Sequence, residues 1–236
     1  GGAAGGAAAV ITFTNAPNYE APGCGSSSNS CSIVVTATDV ANTATSQTIT
    51  VTVTDVNDQT PVYQAADVND AISVNENVGT GSIDAGTITD TDTVGTYACT
   101  LGGADAADFA CTISGSTVNV AFAADPNYES PADADTNNVY IVTVLIADGA
   151  ADDANGATTL TITVADTNDQ TPSYSATDTT PSVAEGTTAV ETNIAITDTD
   201  TGDANVCNLA GADSGLFTCT LTGQTAYSLT FSTAPD

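Results

Sequence analysis

Short runs in which threonine alternates with valine or isoleucine recur along this chain, at residues 33–38, 48–53, 116–120, 140–145 and 159–164. Successive side chains of a strand point to opposite faces, so this alternation puts apolar groups on one face and hydroxyls on the other. Clusters of Gly, Pro, Asn and Asp bound each run, as turns punctuate strands. No helical period of useful length competes. Six or seven such strands in about 110 residues predict a two-sheet sandwich. Phe13, Phe109, Phe122, Phe217 and Phe231 are the expected core anchors.

The pattern also repeats on a longer scale. Pro17-Asn18-Tyr19-Glu20 returns 109 residues later as Pro126-Asn127-Tyr128-Glu129, and Val74-Asn75-Glu76 returns at the same offset as Val183-Ala184-Glu185. Asp90-Thr91-Asp92 recurs as Asp198-Thr199-Asp200 and Cys99 as Cys207, both at 108; Asp55 recurs as Asp166, at 111. A period this long implies tandem domains and not a solenoid of short units. The expected division is the last part of a repeat in 1–58, a complete repeat in 59–169 and the first part of another in 170–236. Three strands are expected in the first segment and five in the last, with residues 11–17 and 229–235 supplying the same strand twice. Two arrangements follow: a stretch of a longer tandem array, or a head-to-tail filament in which each open half-domain is completed by strands of the next copy. Both give a long repeating fibre.

Composition sharpens this picture. The 236 residues include 29 Asp plus Glu and no Lys, Arg or His, for a formal charge of −29. With nothing basic to pair an acid, clustered carboxylates must be held by cations or spread into solvent; two such charges about 4 Å apart repel by roughly 1 kcal/mol even in water. Nucleic acid and anionic membrane are excluded as partners, since both are gripped by Lys and Arg. The chain still carries 41% hydrophobic residues in periodic runs, which separates it from acidic disordered sequences. Its longest apolar run, 139–147, is too short to cross a bilayer.

Six cysteines fall in three local pairs, Cys24 with Cys31, Cys99 with Cys111 and Cys207 with Cys219, the last two pairs with one spacing and matching surroundings. An even count with repeated spacing predicts three local disulfides and an oxidising, extracellular or cell-surface location. Free buried thiols are the alternative. Zinc fits poorly, because no Cys-x-x-Cys and no His are present.

The most specific chemistry sits in Asp55-Val56-Asn57-Asp58-Gln59-Thr60-Pro61, which returns as Asp166-Thr167-Asn168-Asp169-Gln170-Thr171-Pro172. A single acidic loop is commonly a solvated turn. Two copies at a fixed offset, each closing a β-rich segment and stiffened by proline, point instead to a hard cation that takes six to eight oxygens, namely Ca²⁺.

The ordered set Val-x-Glu, Asp-x-Asp, Pro-Asn-Tyr-Glu, Ala-x-Asp and Asp-x-Asn-Asp-Gln-x-Pro resembles the cadherin repeat over nearly the whole chain. That resemblance implies an all-β chain of tandem Greek-key, cadherin-like and immunoglobulin-like β-sandwiches, with partial domains at both ends and up to three Ca²⁺ at each junction. Carried over residue by residue, the first junction would use Glu20, Asp55, Asn57, Asp58, Asp90, Asp92 and Asp148. The second would use Glu76, Glu129, Asp166, Asn168, Asp169, Asp198 and Asp200. Asp39 and Glu185 would serve further junctions. This chain departs from the family in having Asn18 and Asn127 where an aspartate is usual, which implies one charge fewer, and Gln59 and Gln170 where a second asparagine is usual.

These readings leave no place for an enzyme. Without His, Lys or Arg there is no serine–histidine base, Schiff-base lysine or guanidinium clamp. Paired carboxylates could serve a glycosidase, but they fall inside the calcium motifs. The expected role is a calcium-rigidified structural element of an extracellular fibre whose partners are copies of itself. An adhesin segment, whose repeats attach to a cell or surface, is the alternative.

Overall fold

The structure is a computed structural model that describes residues 9–38, 44–66, 71–150, 156–174, 179–202 and 204–236. Strands dominate, as the alternation predicts, and they fall into three groups. The first is a hairpin of β1 (Ser30–Thr38) and β2 (Ala44–Thr52), paired antiparallel from Ser30 opposite Thr52 to Thr38 opposite Ala44.

The middle group has eight strands: β3 (Val62–Gln64), β4 (Ala71–Asn75), β5 (Ser82–Thr89), β6 (Ala98–Gly102), β7 (Phe109–Ser114), β8 (Thr117–Phe122), β9 (Val139–Ala147) and β10 (Thr158–Ala165). One sheet runs β4-β10-β9-β6 and the other β3-β5-β8-β7, with β4 parallel to β10 and every other pair antiparallel. The chain changes sheet between β3 and β4, β4 and β5, β5 and β6, β6 and β7, and β8 and β9, which is the Greek-key path of a sandwich.

The middle core follows from the period of two. Tyr140, Val142, Val144 and Ile146 on β9 face Val118, Val120 and Phe122 on β8, with Leu160, Ile162 and Val164 of β10 alongside, and all are buried. Each such side chain contributes about 1.5–3 kcal/mol when removed from water. Phe109 and Phe122 stack with centroids 4.7 Å apart, and Tyr140 presents its edge to both at 5.7 and 5.3 Å. Cys99 on β6 and Cys111 on β7 are disulfide-bonded with Cα atoms 6.2 Å apart, so the bond joins the two sheets at one edge.

The third group is a single sheet, β11-β12-β14-β13, built from β11 (Ser173–Tyr174), β12 (Ala189–Thr197), β13 (Phe217–Thr222) and β14 (Ala226–Phe231). It reproduces the β3-β5-β8-β7 sheet one repeat later. The 3-10 turn Ala106–Asp108 before β7 likewise recurs as Ser214–Leu216 before β13. Cys219 on β13 is disulfide-bonded to Cys207, with Cα atoms 6.1 Å apart, and so repeats the bond between Cys111 and Cys99. Cys24 and Cys31 are joined as well, so all three pairings predicted from the spacing are present.

Three expectations need correction. Residues 11–17 form no strand, so the described residues of the first group make two strands and not three; Val10, Ile11 and Phe13 stand in solvent, Phe13 at 46% exposure. The described residues of the third group make four strands and not five. Residues 206–210, the counterpart of β6, lie beside the sheet without a ladder, because β6 pairs only with β9 and no such neighbour stands there. Of the five phenylalanines only Phe109 and Phe122 anchor a closed core. Phe217 and Phe231 pair at 4.6 Å on the open sheet and stay half-buried. A hydrophobic face needs an opposing layer before it becomes a core.

Candidate metal centres

The acidic side chains are delivered by strand ends. Glu76 follows β4, Asp90 follows β5, Asp148 follows β9, Asp166 follows β10 and Asp198 follows β12, each at the first position beyond the ladder. A strand end fixes where its next side chain goes, so the sandwich gathers carboxylates at its poles without a dedicated scaffold.

At the first junction, oxygens of Glu20, Asp55 and Asp92 lie within 4.8 Å of one another, and a second triad of Asp90, Asp92 and Asp148 meets the same limit. At the second junction the triads are Glu76, Glu129 and Asp169, and Glu129, Asp166 and Asp200. Asp92 and Glu129 each belong to two triads. Glu76, Asp92, Asp148 and Asp200 are buried. The triads thus bring together residues as much as 72 positions apart at the first junction and 93 at the second, in the combinations that the repeat alignment implies.

Backbone amides brace these groups. Asp92 Oδ2 accepts the N–H of Asp58 at 2.9 Å and of Gln59 at 2.7 Å, and Asp200 Oδ2 accepts that of Gln170 at 2.9 Å. Glu76 accepts from Tyr128 N and Thr167 N, both at 2.8 Å. Asn57 Nδ2 donates to the Asp148 carbonyl at 3.1 Å, and Asp198 Oδ1 accepts Asp200 N at 3.3 Å. Gln59 and Gln170 turn their side-chain amides onto the neighbouring Asp58 and Asp169 at 2.8 and 2.6 Å, while Asn77 donates to Asp169 at 2.5 Å. Asn168 sits in the same loop between Asp166 and Asp169. Asn18 and Asn127 cap their own turns by accepting Ala21 N and Ser130 N, at 2.8 and 2.7 Å.

Glu185 is exposed and joins none of the triads found among the described residues; Asp39 lies outside the described residues. Thr93 and Thr201 were not anticipated. Each donates both its amide and its hydroxyl to one oxygen of the linker aspartate, Asp55 or Asp166. The doubled Asp-Thr-Asp-Thr at 90–93 and 198–201 carried that signal. Gly95 is a second addition: at φ 121° it backs the first junction, where a Cβ would lie 3.2 Å from Asn57 Nδ2 and 3.3 Å from Asp148 Oδ2.

The donor set fits a hard divalent cation. Side-chain oxygens that are buried yet accept no hydrogen bond concentrate at these junctions: Glu20 Oε1, Asp55 Oδ1, Asn57 Oδ1 and Asp92 Oδ1 at the first, and both Glu129 oxygens, Asp166 Oδ1, Asp198 Oδ2 and Asp200 Oδ1 at the second. Leaving such groups unsatisfied is costly unless something fills the position. Only oxygens converge here, which suits Ca²⁺ and not zinc.

Proton affinities reflect the crowding. Desolvation raises Glu129, helped by the charges of Glu76, Asp169 and Asp166 and opposed by the nearness of its own backbone N–H. Glu20 is raised too: a backbone hydrogen bond opposes the shift, but desolvation and the Asp58 and Asp55 charges outweigh it. Asp55 and Asp166 are lowered, first by the Thr93 and Thr201 hydroxyls and further by the same residues' amides.

No family model matches the chain. It is 31% identical over 159 residues to protein dachsous of Drosophila melanogaster, covering 63% of this chain and 4% of that one. Among solved structures it is similar to the protocadherin gammaB7 EC3-6 cis-dimer, with a TM-score of 0.58 and 20% identity over 88% of this chain and 50% of that one. It is also similar to mouse cadherin-23 EC22-24, with a TM-score of 0.54 and 20% identity over 87% of this chain and 64% of that one. The chain therefore spans a small part of dachsous and about half to two thirds of these solved segments. Its fold is that of tandem cadherin repeats, and the resemblance drawn from the motifs holds. The three closed disulfides agree with the extracellular or cell-surface location of such repeats. No helix among the described residues is long and apolar enough to cross a membrane.

Proposed function

We propose that these cadherin-like repeats form a calcium-rigidified segment of an extracellular or cell-surface fibre. In this reading 1–58, 59–169 and 170–236 are successive repeat units. Glu20, Asp55, Asn57, Asp58, Asp90, Asp92 and Asp148 hold Ca²⁺ at the first junction. Glu76, Glu129, Asp166, Asn168, Asp169, Asp198 and Asp200 hold it at the second.

The observation that carries this reading is the convergence of buried, unsatisfied carboxylate oxygens on two inter-unit loops in a chain without a basic side chain. Bound Ca²⁺ supplies the positive charge and the demand for oxygen ligands that these loops lack in themselves. The protein's part is to present carboxylates from both units at one point, so that occupancy ties the units together. The prolines Pro61 and Pro172 stiffen each linker. Extracellular calcium modules typically bind at about 10⁻⁴–10⁻³ M, which suits a structural ion.

Small-angle scattering of the chain in calcium and in EDTA tests this. The expected result is a longer, stiffer particle in calcium; identical profiles would count against ligation at the junctions.

A second feature bears on assembly. The third sheet leaves open the face that β9 and β10 cover in the middle sandwich. A recess of about 290 Å³ on that group is lined by Tyr174, Ile196, Leu209, Tyr227 and Leu229, with Tyr174 65% exposed. The β1–β2 hairpin occupies the repeat positions of β9 and β10 and shows Ile33 and Val34 to solvent. Strands of this repeat from another copy would close the face and generate a filament. Electron microscopy separates the roles: regular polymers support strand completion, whereas a monomer that binds a cell surface supports adhesion.

A further inference from the structure

The loop that carries each candidate glutamate is fastened differently in the two repeats. In the second repeat, Pro126-Asn127-Tyr128-Glu129 leads into a loop that returns to β9 at Tyr140. Asp133 is 3% exposed and accepts the amides of Asn137 at 2.8 Å and Asn138 at 3.3 Å. Tyr140 is 1% exposed, and its hydroxyl accepts the amide of Ala132 at 3.1 Å. Asn138 then donates its side-chain amide to the Tyr128 carbonyl at 2.9 Å, next to Glu129. The glutamate is thus placed by a polar plug at the base of its own loop.

At the repeat offset of 109, Asp133 corresponds to Cys24 and Tyr140 to Cys31. Those two cysteines form a disulfide, with Cα atoms 4.9 Å apart. The final clamp is unchanged: Asn29 donates to the Tyr19 carbonyl at 3.0 Å, next to Glu20. Between the cysteines the sequence is Gly25-Ser26-Ser27-Ser28-Asn29-Ser30, which has no acidic side chain to replace Asp133. Ser26 and Ser27 adopt left-handed conformations at φ 62° and 53°, which a serine does not favour unaided. The covalent bond stands where the plug stands one repeat later, and both end on the same asparagine–tyrosine clamp.

We infer that the Cys24–Cys31 disulfide is a positioning device for Glu20, replacing in the first repeat the Asp133–Tyr140 plug that positions Glu129. It makes the first junction depend on an oxidised cysteine pair and leaves the second independent of it. This rests on the proposed ligand role of Glu20, but the placement of the loop can be read without any ion.

The full chain serves as the background for C24A/C31A, for C24D/C31Y, which transplants the second repeat's plug, and for C99A/C111A as a disulfide control. In EDTA, amide exchange at residues 18–21 is expected to quicken about tenfold or more in C24A/C31A, with 127–130 unchanged. It should return toward the parent rate in C24D/C31Y and stay unaltered in C99A/C111A. In calcium titrations C24A/C31A should weaken the first junction about tenfold without moving the second. Unchanged exchange at 18–21 in C24A/C31A, equal weakening of both junctions, or no recovery in C24D/C31Y would overturn the inference. A parent chain that binds no calcium would sink the proposed function while the EDTA exchange still decides this one.

Discussion

Replacing Asp92 with asparagine keeps the shape of a residue that serves two triads and removes its charge. Its Oδ2 accepts two backbone amides and its Oδ1 is buried without an acceptor role. In the triad with Asp90 and Asp148, atoms within 4.8 Å repel by about 0.9 kcal/mol per pair in bulk water and about 3.5 kcal/mol at an effective dielectric of 20. Asp92 takes part in two of those pairs, so Asp92→Asn relieves at least about 2 kcal/mol of repulsion in the ion-free protein. Against that, two amide bonds to a carboxylate become bonds to a neutral amide, a loss of about 1 kcal/mol each. The two effects nearly cancel in EDTA. In calcium the balance changes, because losing one partner of a desolvated charge contact costs about 2 kcal/mol or more. That is roughly a 30-fold weaker first junction. Thermal melts of parent and D92N in 10 mM calcium and in EDTA read the contrast. The expected loss is about 8 °C or more in calcium and little in EDTA. An equal drop in both conditions would refute the ligand argument, since it would make Asp92 only a hydrogen-bonding brace.

Other outcomes follow from the same geometry. Thr201→Val removes the hydroxyl donor to Asp166 and should move that carboxyl up toward the ordinary aspartate range, as read by carboxyl NMR titration, with Asp55 unmoved. Calcium affinity at the second junction should fall on acidification from above the ordinary glutamate range, because Glu129 holds its proton to higher pH and must release it to ligate. In EDTA the sign reverses over that window: a raised folded-state pKa destabilises at higher pH, so acidification through it restores stability. Only below the ordinary aspartate range does protonation of Asp166, whose pKa is lowered, take stability away. Melts across pH with and without calcium check both limbs. C99A/C111A should cost about 3 kcal/mol for a loop of this size, measured by urea unfolding, and leave calcium affinity unchanged.

Much of the candidate site was legible because its carboxylates travel in local motifs. Asp90-Thr91-Asp92 and Asp55-Val56-Asn57-Asp58 are read directly from the chain, and their return at 108 and 111 residues assigns them to junctions. The charge balance adds the physical reason, since 29 acids with no base leave cations as the counter-charge. The period of two likewise gave the strands. The cysteine spacing gave all three disulfides, down to the repetition of Cys99 and Cys111 by Cys207 and Cys219.

Tertiary structure alone decided three things. Alternation shows which face of a strand is apolar, not whether a second sheet covers it, so Phe122 and Phe231 read alike yet only Phe122 is enclosed. Local sequence does not reveal that Thr93 reaches Asp55 or that Asp92 belongs to two triads, because those approaches arise where separate strand ends converge. It also cannot show that a disulfide and an aspartate–tyrosine plug occupy one place in successive repeats. Side-chain periodicity is local, whereas burial and convergence depend on which distant segments the folded chain brings alongside.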